Sequence, residues 1–141
     1  MINLEPINQT KLYGLDHYFH ELITLYKDNI YPNKLLLSGQ KGIGKSTLAY
    51  HLINYILTIN EDYNYDVKNL KINENSHEFR TVINKSNTNL ITVDVNLDKK
   101  TIDINQIRDL IINLNKSSFN NKPRFVLIDN IELLNKSSIN A

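Results

Sequence analysis

The chain has 141 residues, 41% hydrophobic and 22% charged, with a formal net charge of +1. That length fits about one domain with a sizeable core, and the near-balanced charge excludes a broad basic field for nucleic acid, leaving a local patch or a partner as the route to DNA. No cysteine is present, which removes disulfides and cysteine-based zinc sites.

The opening "MINLEPINQT" lacks the basic start and apolar run of a secretory leader. No apolar run is long enough to span a bilayer, so a cytoplasmic protein is expected. Asn, Ile and Lys are frequent, but the asparagines are interspersed with periodic apolar residues and form no low-complexity tract.

In chain order, Leu15, Tyr18, Phe19, Leu22, Ile23, Leu25 and Tyr26 recur at helical spacing, which predicts a helix with one buried face. Pro32 disfavours helix at the residue before it. Residues 35–38 (LLLS) are short, apolar and bounded by Gly39, as in a strand covered on both faces. A second helix is expected over about 45–58, burying Leu48, Leu52, Tyr55 and Ile56. Residues 59–80 are polar and aperiodic, and read as a long connection with mobility of its own. Taken to its widest, this variable polar stretch runs over about 59–88.

Residues 89–95 (NLITVDV) predict a strand, and 102–115 a helix with Ile104, Ile107, Ile111 and Leu114 on one face, started by Asp103 or Asn105. After the turn "NNKP", residues 124–129 (RFVLID) form an apolar strand closing on a carboxylate, and the tail begins another helix. Strands alternating with helices give an α/β fold with a parallel sheet.

Between strand and helix, Gly39, Gln40, Lys41, Gly42, Ile43, Gly44, Lys45 and Ser46 satisfy G-x-x-x-x-G-K-[ST] in full, with three of the four glycines of the chain. Each position has a chemical reason. Glycines let the backbone curl around an anion with N–H groups inward. The helix that follows turns its positive end to the phosphates. Lys45 is expected to reach the terminal phosphates, the Ser46 hydroxyl to ligate Mg²⁺, and Thr47 to add an N–H. Asp129, about 80 residues on, is the expected second metal-bearing residue at the end of a neighbouring strand. The residue after it is Asn130, and a neutral amide orients water but takes no proton from it. Tight nucleotide binding with slow or absent hydrolysis is therefore expected, with Glu132 as a poorly placed substitute.

With these elements in place, the chain resembles the AAA+ clamp-loader family, and within it the delta-prime subunits of bacterial DNA polymerase III. "PINQTKLYGLDHYFHELITLYKDN", "YPNKLLLSGQKGIGKSTLAY", "IDINQIRDLI" and "RFVLIDNIELLNKSSINA" carry the likeness, which covers the chain apart from roughly 59–88. The resemblance implies a P-loop NTPase sheet flanked by helices and phosphate or Mg²⁺ roles for Lys45, Ser46 and Asp129. It also places Leu12 to Gly14 beside the adenine and makes position 130 that of the usual catalytic Glu. It implies ATP and Mg²⁺ as ligands, other clamp-loader subunits as partners in a hetero-oligomer, and DNA reached through that assembly. The four-cysteine zinc module common in the family is absent, so zinc is not carried over.

The family continues through a sensor strand, a helical lid and a collar. Residues 1–141 therefore read as the N-terminal part of the nucleotide-binding domain. The missing sensor strand lies, in the family's sheet order, between the strand of "LLLS" and that of "FVLID", so these two should flank a gap or pair abnormally. An active AAA+ ATPase such as the motor subunit is the alternative, and a small-molecule kinase the third reading, without an arginine-rich lid to support it.

Lesser candidates have plainer explanations. His17 and His20, near Asp16 and Glu21, lack a third convergent ligand. Lys99, Lys100 and Arg124 read as solvated, Tyr63 and Tyr65 as surface cover, and Gln106 and Arg108 as helix surface.

Overall fold

Two helices of the first half, α1 (Asp16–Lys27) and α2 (Lys45–Thr58), pack against each other in a computed structural model that describes residues 3–117 and 120–141. α1 buries Phe19, Leu22 and Ile23, while Tyr18 on the expected face is exposed. It ends before Pro32 has any effect. Asn29 adopts φ 57, Ile30 N donates to Leu25 O at 3.1 Å and Asn29 N to Tyr26 O at 3.1 Å, the pattern of a left-handed helix stop.

The chain forms two compact units, Met1–Ser86 and Asn87–Ala141. In the first, α2 is the centre: from Leu48 to Thr58 every residue but Tyr50 is buried, as expected of a helix apolar nearly all round. Against it lie α1, a 3-10 turn at Pro6–Asn8, and α3 (His77–Ile83), whose start is capped by Ser76 accepting from Phe79 N at 3.1 Å.

The stretch 59–80, read as a loose connection, is folded onto this core. Tyr65 and Ile72 are buried, and Asp66 and Lys71 pair antiparallel with N···O distances of 2.9 and 3.0 Å. The chain near the N-terminus joins them, with Ile72 N donating to Thr10 O at 2.8 Å and Leu12 N to Leu70 O at 3.0 Å. Tyr65 is thus a core residue, not surface cover.

Residues 35–38 are a correction. They have no regular structure, and Leu35 and Leu36 are exposed. A strand exists only through its neighbours' hydrogen bonds, and among the described residues no strand pairs with this one.

In the second unit, β1 (Leu90–Val93) and β2 (Phe125–Ile128) form a parallel pair, Leu90 opposite Phe125 and Val93 opposite Ile128. α4 (Ile104–Leu114) packs on β1, burying Leu110 with Val93 and Ile102 and, less completely, Ile107. Ile111 and Leu114, expected on the buried face, are each 41% exposed. The tail does not run straight into a helix: a 3-10 turn at Ile131–Leu133 precedes α5 (Lys136–Ile139), and Ser138 Oγ donates to Ile102 O at 2.9 Å.

Candidate functional site

The glycine-rich loop is built by backbone geometry before any ligand is considered. Gly39, Gly42 and Gly44 have φ of 154°, 83° and 96°, values that side chains disfavour. Gly44 is the N-cap of α2 and brings no side chain to it. No side chain at the N-cap closes the first turn of α2, the place where a helix presents backbone N–H groups to its surroundings. A Cβ on Gly44 would lie 3.2 Å from Leu15 Cδ1, a tight contact at a position whose φ already favours glycine. Leu12 and Leu15 are buried and Tyr13 exposed, on the segment around Gly14, whose φ is 70.

Lys45 is tied to its own loop. Its Nζ donates to Gly39 O at 3.0 Å and to Gln40 O at 2.9 Å, and Ile43 N donates to Gln40 O at 3.4 Å. Gln40 to Ile43 are exposed, and Gly44 to Thr47 half-buried. Curled backbone, uncapped helix start and an ammonium stand together within a few residues. That donor set suits an anion with several oxygens.

In the second unit, Asp129 and Asn130 follow β2 directly. Asp129 N donates to Val93 O at 2.9 Å, the last rung of the sheet, and Asp129 Oδ1 accepts from Asn130 N at 2.9 Å. Asn130 has φ 52 and ψ 45, and its Nδ2 donates to Asp94 Oδ1 at 2.8 Å. Asp94 was not among the sequence candidates. Its signal was present, because "NLITVD" and "RFVLID" are both apolar runs closing on Asp. Parallel pairing in this register then sets the two carboxylates at the same end of adjacent strands. Glu132 is exposed in the following 3-10 turn.

Several lesser candidates acquire structural roles. Asp103 caps α4, accepting from Asn105 N at 3.0 Å and Gln106 N at 3.1 Å, while Gln106 Oε1 accepts from Asp103 N at 3.1 Å. Lys99 pairs with Asp103, and that hydrogen bond, with the capping N–H groups of Gln106 and Asn105, holds the carboxyl below its usual range. The Arg124 guanidinium donates to Asn113 O at 2.8 Å, Lys116 O at 2.8 Å and Leu114 O at 3.2 Å, at the end of α4. His17 and His20 are exposed. No helix among the described residues is long and apolar enough to cross a membrane.

The family described as "DNA polymerase III, delta subunit" has a model that matches residues 14–141. No curated protein matches the chain. The chain belongs to that DNA polymerase III family, and its role is clamp-loader-related, in DNA replication.

Proposed function

From membership of the DNA polymerase III delta subunit family, we propose a delta-prime-like subunit of the clamp loader, an AAA+ module that holds ATP with Mg²⁺ and hydrolyses it slowly or not at all. It works in the cytoplasm in a hetero-oligomer with other clamp-loader subunits and meets DNA through that assembly. The observation that carries the nucleotide role is the loop of three glycines at positive φ leading into an uncapped helix.

The residues fit the ligand as follows. The amides of Gly42 to Thr47 bind phosphate oxygens, as the N–H groups of a glycine-rich loop and a helix start are suited to do. Ile43 contributes backbone here, its side chain being 53% exposed. Lys45 exchanges its carbonyl partners Gly39 and Gln40 for phosphate oxygens, so contacts between opposite charges replace two contacts to neutral carbonyls. The Ser46 hydroxyl in the first unit and the Asp129 carboxylate in the second are each the kind of oxygen donor that Mg²⁺ takes, an ion that when bound neutralises charge on the phosphates. Asn130 orients water through its amide and accepts no proton from it, and this is what makes turnover slow.

The test is calorimetric titration of the chain with ATP and Mg²⁺, beside steady-state turnover. Uptake that disappears in Lys45→Ala, with turnover far below an ordinary ATPase, is expected. No uptake by folded wild-type chain would remove the nucleotide role, and brisk turnover lost in Lys45→Ala would favour an active ATPase such as the motor subunit.

A further inference from the structure

We infer that the turn at residues 66–71 is a positioning element of the phosphate loop, acting through the segment 9–15; its effect on ATP rests on the nucleotide role proposed above. The turn is closed by the antiparallel pairing of Asp66 with Lys71 and stapled by one exposed side chain. Asp66 Oδ1 accepts from Asn69 N at 3.0 Å and Oδ2 from Asn69 Nδ2 at 2.7 Å, the local bonding by which Asp sets a bend. Leu70 then takes φ 50, a left-handed backbone that its side chain disfavours. Such a conformation persists only where the surroundings impose it.

Here the surroundings include the segment 9–15. Leu12 N donates to Leu70 O at 3.0 Å, Ile72 N to Thr10 O at 2.8 Å, and Lys11 Nζ to Asn69 O. The strained residue is therefore the one whose carbonyl holds Leu12. Just beyond, past Gly14, Leu15 is buried and stands at the start of both helices. Its carbonyl accepts from Phe19 N at 3.0 Å in α1, and its Cδ1 lies 3.2 Å from where a Cβ on Gly44 would stand. Gly44 in turn accepts from Leu48 N at 2.9 Å, opening α2. Glycines leave the phosphate loop free in φ, so its curl needs support from outside. Leu15 supplies that support, and the turn fixes Leu15.

The experiment follows amide hydrogen exchange and ATP uptake in the full chain, comparing wild type, Asp66→Ala and Asp66→Asn. In Asp66→Ala without ligand, the amides of Leu12 and Ile72 should exchange about tenfold faster and that of Leu48 about threefold faster. Phe125 N, bonded to Asn89 O in the second unit, should be unchanged. ATP uptake should weaken about threefold in Asp66→Ala and recover in Asp66→Asn, whose amide oxygen still accepts from Asn69 N. With Leu15→Ala already in place, Asp66→Ala should weaken uptake no further. An unchanged Leu48 amide beside faster Leu12 and Ile72 would reduce the turn to a local fastening and overturn the inference. Additive losses in the double variant would overturn the route through Leu15. Absence of ATP uptake by folded wild type removes the nucleotide role instead, and exchange at Leu48 still decides whether the turn positions the loop.

Discussion

The buried imidazole of His51 receives a hydrogen bond from the hydroxyl of Tyr65, Nδ1 to Oη, at 2.8 Å. Its Nε2 lies 3.0 Å from the carbonyl of Gln9 and must donate there, since a carbonyl has no proton to give. One neutral tautomer therefore links α2 to the 59–80 stretch and to the N-terminal turn. Burial pushes the His51 pKa down to about 4, against a smaller upward effect of the Gln9 carbonyl, and burial pushes the Tyr65 hydroxyl up.

The sign of the pH dependence follows. The unfolded chain binds a proton at His51 near its ordinary value of 6.5 while the folded chain refuses it until about 4. Stability is full above the unfolded value and falls as the pH drops through this window, by up to about 3 kcal/mol. Denaturant unfolding from neutral to acid pH measures it. In His51→Gln the slope between these two values should flatten.

At the phosphate loop, Gly44→Ala should be costly in two ways. A side chain at φ 96 is strained, and its Cβ would press on Leu15 Cδ1 at 3.2 Å. A loss of about 1–3 kcal/mol in unfolding free energy is expected, together with loss of ATP uptake in the calorimeter. Stability unchanged from wild type would contradict the geometry.

The start of α4 depends on Asp103. Asp103→Ala removes the cap and the Lys99 pairing, and should cost about 1 kcal/mol, nearly all of it from the cap because the ion pair lies at the surface. Lys99→Ala should change little, and raising the salt should leave most of the Asp103 effect in place. Chemical denaturation of the two variants at low and high salt separates these contributions.

At the other end of α4, Arg124 donates to the carbonyls of Asn113 and Leu114 in the last turn and of Lys116 just beyond it. Arg124→Ala should lower stability by about 1–3 kcal/mol. Arg124→Lys should recover only part of it, because an ammonium lacks the planar fork. Full recovery in a thermal melt would show that charge alone is needed.

How much of this was legible depended on whether the signal was local. The glycines, Lys45 and Ser46 form a motif whose meaning is in its spacing, and α2 begins and ends at the expected residues. Of the two caps expected for α4, Asp103 and Asn105, Asp103 is the one that forms. Strand 35–38 was not legible, because four apolar residues say nothing of whether a partner strand stands beside them. The 59–80 stretch was misread because its order comes from single anchors, Tyr65 and Ile72, which have no period. For α4 the expected face of Ile104, Ile107, Ile111 and Leu114 held only in part, since Ile107 joins the cluster of Val93, Ile102 and Leu110 while Ile111 and Leu114 stay exposed. Asp94 escaped notice because its neighbour in space, Asn130, is 36 residues away.

α2 is tethered at both ends: Gly44 opens it against Leu15, and near its close Thr58 Oγ1 accepts from Tyr65 N at 3.1 Å. Its residue count is therefore as constrained as its composition. One residue inserted between Ser46 and His51 would rotate everything downstream by about 100°, carrying His51 off Gln9 and Thr58 off Tyr65 in a single stroke. Insertions and deletions in this part of the chain should therefore be tolerated only in the exposed bends on either side, around residues 33–36 and 60–64.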